Sequence, residues 1–552
     1  MSGLSDGVTG VSSALAASRI FPARQVKLAP CCSDCVGGGD VRGWIGVVAQ
    51  RRALGLSDHQ AFERAWQMLA TVNPFPATLG RVCPHPCEGR CTRGTKDGAV
   101  HINALERFLG DWALANRVPL PRLAAAGSHP ESLGVIGSGP AGLSFAYQMA
   151  RRGYAVTIYE RAETPGGMLQ FGIPQYRLPE VVLEAEVRRI LDFGIALRLG
   201  TAVGRDVPIQ VLRQRHQGIF IGIGAAHGLT LGIPGEEGEG AWTGTDYLAR
   251  VNRGEHVALG RFVTVVGGGN TAIDAARAAR RSGAEVTVLY RRSRREMPAI
   301  DAEVDDATIE GVAFEFLAAP VAIRREDGKL RALVAQRMSL GEPDASGRRS
   351  PVAVPNSTFE IPVDSVIAAV SQQPEWEPMG ALTAAAWSEA TADGLVVNDR
   401  VWTGGDSLGL GLAGRAIRQG RLAAEAADAR FRGLPTPQAD QFSPVDGRVK
   451  TDFYVGKAAV TLPQRPTDEW LSRPDTEIRQ TITEAEFLEE VSRCLSCGLC
   501  FGCEQCFMYC NNDGMERLNP PAPGRYFEFR RDICLACGKC IDLCPCGFLA
   551  PE

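Results

Sequence analysis

Residues 133–160 read LGVIGSGPAGLSFAYQMARRGYAVTIYE, a pattern that predicts the fold of the central part of the chain. A short apolar strand ends at Gly137, a helix follows, and a second strand comes after the helix. Gly137, Gly139 and Gly142 form the spacing G-x-G-x-x-G, which permits a tight turn and lets the backbone approach a pyrophosphate closely. Glu160 ends the second strand, where a carboxylate accepts hydrogen bonds from the ribose of an adenosine. The stretch therefore predicts a strand–helix–strand unit that binds a dinucleotide.

Residues 261–299 repeat this plan as RFVTVVGGGNTAIDAARAARRSGAEVTVLYRRSRREMPA. The fingerprint is carried here by Gly267, Gly269 and Ala272. No carboxylate ends the second strand, and Arg291 and Arg292 stand in its place. A guanidinium binds a 2′-phosphate with two hydrogen bonds, whereas an acid repels it. The unit is therefore predicted to bind NADP(H), with NAD(H) as the other coenzyme and a solvated basic turn as the alternative for the arginines.

Two runs of C-x2-C-x2-C-x3-C lie within residues 491–546. Such runs hold the [4Fe–4S] clusters of two-cluster ferredoxins, in which the fourth cysteine of each run binds the other cluster. The first cluster is assigned to Cys500, Cys503, Cys506 and Cys544. The second cluster is assigned to Cys534, Cys537, Cys540 and Cys510. Structural zinc is the alternative, although zinc sites more often use two C-x2-C pairs far apart in the chain.

Composition places the chain among ordinary globular proteins. It has 552 residues, a hydrophobic content of 45 % and a net charge of −4, which predicts three or four domains of roughly 150 residues. This charge excludes a nucleic-acid footprint and a polybasic membrane anchor. The chain has 17 cysteines, and none lies between Cys91 and Cys494. This clustering at the two ends favours metal ligation in a reducing cytoplasm over disulfides. Neither an apolar run of about 18 residues nor a signal-peptide pattern occurs, so we expect a cytoplasmic protein.

The chain has two further cysteine groups near its start, PCCSDC at 30–35 and CPHPCEGRC at 83–91. Between them, apolar residues recur at helical spacing. This density of cysteines predicts a helical domain that holds a metal cluster, and buried thiols without a metal are the alternative.

Several motifs resemble the glutamate synthase small subunit, starting with VGGGDVRGWI (36–45), GRVCPHPCEGRC (80–91) and INALERF (102–108). Similar domains open dihydropyrimidine dehydrogenase and the large subunit of the NADH-dependent ferredoxin:NADP oxidoreductase. The resemblance implies a [4Fe–4S] cluster held by Cys35, Cys83, Cys87 and Glu106, and the alternative for Glu106 is a solvated carboxylate. A second cluster in that family needs two earlier cysteines that this chain lacks, so one N-terminal cluster is predicted.

The resemblance extends to the cofactor motifs IPQYRLP (173–179), YRRSRREMPA (290–299) and VWTGGDSLGLGLAGRAIRQGRLAAEA (401–426). It implies FAD contacts at Gly137, Gly139, Pro140, Ala141, Gly142, Glu160, Arg161, Gly167, Met168, Arg177, Gly405, Asp406, Ala416 and Ile417. It implies nicotinamide-nucleotide contacts at Gly267, Gly269, Asn270, Thr271, Ala272, Arg291 and Arg292. The alternative for Asp406 alone is a turn residue or a helix cap.

The predicted fold class is α/β. Two Rossmann-like nucleotide-binding domains, one for FAD and one for NAD(P)H inserted into it, follow an α-helical iron–sulfur domain and precede a bacterial ferredoxin-like domain. The segments 218–225 and 363–374 are predicted to be the strands by which the chain leaves and re-enters the FAD domain. The predicted boundaries are 1–128 for the helical [4Fe–4S] domain, 129–250 and 366–432 for the FAD domain, 251–365 for the NAD(P)H domain, 433–490 for a linker and 491–552 for the ferredoxin-like domain.

The combination of cofactors predicts a function. A nicotinamide carries electrons in pairs, a cluster carries one at a time, and a flavin exchanges electrons with both. The predicted function is an FAD-dependent NAD(P)H:acceptor oxidoreductase that acts as an electron-transfer subunit. No catalytic side chain is predicted, because bound FAD carries the hydride transfer. The expected order is NADPH, FAD, the N-terminal cluster, the ferredoxin-like pair and an external partner, with flow in either direction.

The sequence leaves the partner open. It is expected to be a larger oxidoreductase subunit, such as a 2-oxoacid:ferredoxin oxidoreductase or the glutamate synthase large subunit, or else a soluble ferredoxin. The alternative functions are the NADPH-feeding small subunit of a glutamate synthase and, in another class, a non-catalytic assembly or redox-sensor protein. Six cysteines stay unassigned as spare thiols, alternative ligands or redox-sensitive sites: Cys31, Cys32, Cys91, Cys494, Cys497 and Cys546.

Overall fold

A computed structural model describes residues 20–24, 29–380, 400–436 and 448–552. The part of the predicted linker at 437–447 and residues 381–399 of the predicted FAD domain lie outside these ranges. No helix in the described ranges combines the length and apolar character needed to cross a bilayer.

The first nucleotide fold is a parallel sheet with helices packed on it. Among the described strands its order is Val401–Thr403, Gly218–Ile221, Ser132–Ile136, Ala155–Tyr159 and Ala196–Arg198. The strand Ser132–Ile136 is apolar and almost wholly buried, as expected for a parallel strand covered on both faces. Helix Pro140–Arg151 packs against helix Ala413–Arg432, so elements far apart in sequence close one core.

The second nucleotide fold is a separate parallel sheet. Its described strands run in the order Ala313–Phe316, Glu285–Tyr290, Phe262–Val266, Ser365–Ala368 and Ala241–Thr243. The chain enters this sheet from the first one and returns to it at residues 401–403, which confirms the predicted α/β class with an inserted domain. The predicted boundaries at 251 and 365 both fall inside the module. The first is misplaced because the edge strand at 241–243 is too short to be recognised from the sequence.

The crossover between the two sheets differs from the predicted pair of strands. Gly218–Ile221 belongs to the first sheet and Ser365–Ala368 to the second. The antiparallel pair at the crossover is His227–Gly228, just after the first predicted segment, with Gln372–Gln373, which lies inside the second. A three-stranded antiparallel sheet that the sequence did not indicate is inserted in the second fold between strands Ala313–Phe316 and Ser365–Ala368; its strands are Ala318–Glu326, Lys329–Pro343 and Arg349–Pro362.

The remaining helices of the two nucleotide folds are short and cover the sheets. They are Met168–Phe171, Glu180–Leu191, Ile209–Arg215, Gly244–Asn252, Asn270–Arg281 and Asp301–Ile309.

The N-terminal part is helical, as the spacing of its apolar residues predicts. Its helices are Pro30–Ser33, Val41–Ala49, Asp58–Val72, Pro76–Val82, Pro86–Gly89 and Ile102–Ala115. Ser57 and Gln60 form a reciprocal capping box at the start of the third helix, which satisfies backbone donors that a helix start leaves unpaired.

The described part of the predicted linker packs on these helices. Helix Glu484–Val491 places Phe487 in the N-terminal core, where its ring stacks on Phe108 at 4.2 Å between centroids. Helix Glu484–Val491 is therefore part of the helical core, whereas Trp470 and Ile478, earlier in the segment, pack with Tyr176 of the first nucleotide fold.

The C-terminal region contains two short helices and a hairpin. The helices are Gln505–Met508 and Lys539–Leu543, and the hairpin strands are Met515–Ala522 and Arg525–Phe529. The last strand, Leu549–Pro551, pairs antiparallel with Pro22–Arg24, so the two ends of the described chain meet in one small sheet.

Candidate functional site

A cavity of about 450 Å³ lies at the carboxyl ends of the first sheet, where ligands bind in folds of this type. This volume is within the usual range for cofactor pockets. Eleven residues with predicted FAD contacts line it: Gly137, Gly139, Pro140, Ala141, Glu160, Arg161, Gly167, Met168, Gly405, Asp406 and Ala416.

The glycine loop has the geometry that a bound pyrophosphate requires. Gly137 has φ +91°, and a Cβ there would lie 2.4 Å from the carbonyl oxygen of Gly222. Gly142 is inside the helix, and a Cβ there would lie 2.1 Å from the Gly137 carbonyl oxygen. No side chain caps the first turn of helix Pro140–Arg151, so its N-terminus faces the cavity with free backbone donors. These features fit a dinucleotide at this loop.

Glu160 is held firmly at the end of its strand. One carboxylate oxygen accepts hydrogen bonds from the backbone and hydroxyl of Ser138 at 2.7 and 2.6 Å, and the other accepts one from the Ala162 amide at 2.8 Å. Arg161 beside it donates to Glu375 at 2.6 Å, and both residues border the cavity. The acid is therefore fixed in position before any ligand arrives.

The opposite wall comes from the second half of the fold. Asp406 lies in a short 3₁₀ turn over Gly405–Ser407, and its carboxylate accepts a hydrogen bond from the Gly411 amide at 3.1 Å. Burial raises the pKa of Asp406, an effect that this hydrogen bond opposes. The amide of Gly405 is engaged by the Gln419 side chain at 2.7 Å, which fixes the turn to helix Ala413–Arg432.

Residues of the second domain close the cavity, and the sequence did not indicate them. Thr245, Asp246 and Ala249 come from helix Gly244–Asn252, and Arg253 follows it. No motif marks this helix, because its role depends only on how the two sheets are placed. The cavity thus lies where a nucleotide on one fold meets the other fold.

Three residues with predicted FAD contacts lie elsewhere. Gly142 is buried in its helix, and Ile417 is buried with its carbonyl accepting from Ser144 at 2.8 Å. Arg177 donates to both oxygens of Asp274 at 2.8 and 2.7 Å and does not line the cavity. Since Asp274 lies on helix Asn270–Arg281, Arg177 joins the two nucleotide folds.

The second glycine loop also closes tightly. A Cβ built on Gly267 would lie 2.3 Å from the Ala369 carbonyl oxygen and 3.2 Å from the Ala272 methyl. Gly269 precedes the helix, Thr271 is in its first turn, and the Asn270 side chain accepts from the Ile300 amide at 2.9 Å.

The two arginines predicted to bind a 2′-phosphate have different environments. Arg292 is buried, pairs with Asp344 at 2.5 Å and donates to the Arg349 carbonyl at 2.7 Å. Arg291 and Arg295 are exposed. The guanidinium of Arg292 is thus committed to the antiparallel sheet, and Arg291 becomes the better candidate for a phosphate.

The four residues assigned to the N-terminal cluster come together. Burial raises the pKa of Cys83 to about 12, and charges on Glu106 and Cys35 add to the rise. Burial also raises the pKa values of Cys35 and Cys87, again with a contribution from Glu106. Burial raises the pKa of Glu106 to about 7, although Asn73 donates to it at 2.7 Å. These mutual electrostatic effects indicate that the three thiols and the carboxylate lie near one another, as the predicted donor set for iron requires.

The four cysteines assigned to the first C-terminal cluster also lie near one another. Burial raises the pKa of Cys506 to about 12, with contributions from Cys500, Cys503 and Cys544. Burial raises the pKa of Cys500 to about 11, again with contributions from Cys503 and Cys544. Cys544 comes from the second run of cysteines, so the chain crosses over as the ferredoxin pattern predicts.

The second C-terminal set lies beside the first. Burial raises the pKa of Cys540 to about 11, with contributions from Cys534, Cys537 and Cys510. Throughout the described ranges, no three His, Cys, Asp or Glu side chains converge closely enough to hold a single metal ion. A cubane cluster has an iron at each of its thiolates, so the cluster ligands predicted from the sequence need not converge on one point.

Two family models match parts of the chain, one over the nucleotide folds and one over the N-terminal region. Residues 132–420 match the family model described as pyridine nucleotide-disulphide oxidoreductase. Residues 8–118 match the model described as dihydropyrimidine dehydrogenase domain II, 4Fe-4S cluster.

Curated relatives share much of the chain. The glutamate synthase [NADPH] small chain of Halomonas elongata is 35% identical over 376 residues, which cover 64% of this chain and 79% of that protein. The NADP(+)-dependent formate dehydrogenase subunit beta of Moorella thermoacetica is 36% identical over 476 residues, 81% of this chain and 65% of that protein. The NADPH-Fe(3+) oxidoreductase subunit beta of Geobacter sulfurreducens is 38% identical over 354 residues, 63% and 51% respectively. The aligned part of this chain thus spans 65% and 51% of the last two relatives.

Proposed function

Because the chain belongs to the pyridine nucleotide-disulphide oxidoreductase family, we propose that it is an electron-transfer subunit in which NAD(P)H, FAD and [4Fe–4S] clusters exchange electrons with a partner protein. One observation carries the proposal: helix Ala413–Arg432 borders both the cavity and the loop that carries Cys35 of the predicted N-terminal cluster. Its residue Ala416 lines the cavity. A Cβ built on Gly414 would lie 2.8 Å from a methyl of Val36, next to Cys35.

The loop that carries Cys35 is packed on this helix. A Cβ at Gly37 would lie 4.0 Å from the Gly414 carbonyl oxygen, and one at Gly38 would lie 3.2 Å from the Arg421 guanidinium. The first cluster site and the cavity are therefore separated by the end of a single helix. This short separation supports electron transfer between a flavin in the cavity and a cluster at Cys35.

The residues of the chain bind and orient the cofactors in this proposal. A flavin supplies the exchange between hydride donors and one-electron carriers. Glu160 would hold the adenosine ribose of the FAD, Asp406 would lie at its ribityl–pyrophosphate region, and the glycine loop with its helix N-terminus would hold its phosphates. No side-chain acid or base is needed, which agrees with the apolar character of much of the cavity wall.

The exit of the electron path lies at the second C-terminal set. Cys537 is exposed, and three large apolar side chains on the same segments are exposed as well: Met508 (65%), Tyr509 (50%) and Leu535 (68%). Exposed apolar side chains grouped in this way are typical of a protein contact surface. The partner that docks there is, in this proposal, a larger oxidoreductase subunit or a ferredoxin, in keeping with the subunit names of the relatives.

An anaerobic assay tests the proposal. NADPH added to the FAD-loaded protein should bleach the flavin absorbance and then reduce a viologen dye with repeated turnover. If neither NADPH nor NADH reduces the flavin, the proposal is wrong and the non-catalytic sensor or assembly protein is favoured.

A paired variant tests the path. The double variant Cys534→Ala/Cys540→Ala should keep flavin reduction by NADPH but lose most transfer to a bacterial two-[4Fe–4S] ferredoxin, since the exit cluster has lost two of its ligands. Cys32→Ala, which lies outside every assigned set, is the control and should transfer at the wild-type rate. Unchanged transfer in the double variant would refute the proposed exit.

A further inference from the structure

Four of the unassigned cysteines meet in one place. Cys31, Cys91, Cys494 and Cys497 line a single small cavity of about 30 Å³ between the N-terminal helices and the segment that enters the C-terminal region. The pKa of the Cys31 thiol is raised by a hydrogen bond with Cys32 and by burial, and charges on Cys494 and Cys497 add to the rise. Burial raises the pKa of Cys494 to about 12, with contributions from Cys497 and Cys91. Thiols from both ends of the sequence are therefore near neighbours.

The segment that brings Cys494 and Cys497 is fixed in place by a buried network. Arg493 is fully buried and donates to the carbonyls of Ala99 at 2.9 Å and Gly98 at 2.7 Å. It also pairs at 2.5 Å with Glu490, whose carboxylate accepts from the His101 amide at 2.9 Å. Such a network is costly to bury unless every partner is satisfied, so it specifies one arrangement of the two segments.

The walls of the cavity suit an anionic cluster. Arg42 donates from Nη1 to the Cys497 carbonyl at 2.9 Å, and Arg93 donates to the Arg493 carbonyl at 2.5 Å. Both arginines border the cavity. The Cys497 thiol lies 3.4 Å from the Thr92 hydroxyl. The Thr92 hydroxyl and the charge of Arg42 oppose the rise that burial produces in the pKa of Cys497, so they favour the thiolate form that iron binds at this ligand.

Cys32 differs from these four. Its thiol lies 3.5 Å from the Asp40 carboxylate and accepts from the Arg42 amide at 3.4 Å, and it does not line the cavity. The start of helix Val41–Ala49 thus already engages it.

We infer that Cys31, Cys91, Cys494 and Cys497 bind a further [4Fe–4S] cluster, shared between the N-terminal helical domain and the segment before the ferredoxin-like region. The cavity has room for little more than one water molecule, so its walls must move apart to admit the cluster. The two cysteines that seemed to be missing from the N-terminal domain are in this way supplied from the far end of the chain.

The site fills a gap in the proposed electron path. Cys31 and Cys91 lie on the same short segments as Cys35 and Cys87, and Cys497 lies just before Cys500. Tyr454 contacts both regions: its hydroxyl donates to the carbonyl of Leu495, between Cys494 and Cys497, at 2.7 Å, and its ring centroid lies 5.7 Å from that of Phe501, next to Cys500. A cluster here would join the N-terminal cluster to the ferredoxin-like pair.

Iron content tests the inference without reference to NADPH activity, so its failure is distinct from failure of the proposed function. The full-length protein, purified anaerobically and reconstituted with iron and sulfide, should hold about 16 iron atoms per chain, and Cys494→Ala/Cys497→Ala should hold about 12. The dithionite-reduced double variant should lose one electron paramagnetic resonance signal and keep its FAD.

Two further variants make the result decisive. Cys91→Ala, changed at the other end of the chain, should lose the same resonance signal as the double variant, and Cys32→Ala should keep it. Full iron content in the double variant would overturn the inference. So would stoichiometric zinc in the wild type at this site, or loss of different signals by Cys91→Ala and the double variant.

Discussion

Replacement of Phe487 by alanine should loosen the segment that holds Cys494 and Cys497. Phe487 is fully buried, and its ring stacks on Phe108 at 4.2 Å and meets the edge of Phe62 at 5.2 Å. A buried Phe→Ala change typically costs about 3–5 kcal/mol, and two aromatic contacts of this geometry place the cost in the upper half of that range. Since about 1.4 kcal/mol is a factor of ten, the local opening equilibrium should rise by about a thousandfold.

Amide hydrogen exchange followed by mass spectrometry measures this opening directly in helix Glu484–Val491. Phe453→Ala is the matched control, because Phe453 lies in the same segment and is 44% exposed, so its change should stay within about 0.5 kcal/mol. If helix exchange in Phe487→Ala is no faster than in Phe453→Ala, residues 448–493 do not depend on this core. Truncation after Lys450 would also remove Phe487 and should likewise open the N-terminal domain.

Three other changes separate further features of the molecule. Gly137→Ala should abolish FAD retention, measured as flavin absorbance per protein, because the added Cβ has no room. Gly254 also has a positive φ but open space around it, so Gly254→Ala should cost about 1–2 kcal/mol of strain and keep FAD. Arg291→Ala should raise the KM for NADPH at least about tenfold, because a charged hydrogen bond is lost, and should leave the KM for NADH unchanged. Arg294→Ala is the control and should change neither KM, because its guanidinium is already ion-paired. Equal shifts for both coenzymes in Arg291→Ala would refute this. Burial lowers the pKa of His216, so the unfolded chain binds its proton more readily, and the stability that this group contributes is present above about pH 6.5 and lost as pH falls through the folded pKa. The melting temperature of His216→Gln should therefore fall less than that of the wild type between about pH 8 and about pH 5.5; parallel falls would contradict the assignment.

Much of the architecture follows from local sequence. The glycine spacing at Gly137 and Gly267, each after an apolar strand, predicts both nucleotide folds because the turn, the helix start and the strand pairing depend on nearby residues. Three cysteines of each predicted C-terminal set are equally local, since their spacing within a short loop determines which thiols can reach one cluster, and only the fourth comes from the other run. The fold class that these motifs predict is confirmed by the family match over residues 132–420.

Other features depend on contacts between distant parts of the chain. The commitment of Arg292 to Asp344, the closure of the cavity by helix Gly244–Asn252 and the meeting of Cys31 with Cys494 have no signature in the sequence around them. The reason is physical. Arg493 is fixed by the backbone carbonyls of Ala99 and Gly98, and every residue has a carbonyl, so the acceptors carry no mark of their partner. A C-x2-C pair shows that Cys494 and Cys497 can bind metal, but only the packing of the two ends of the chain decides which thiols complete the site.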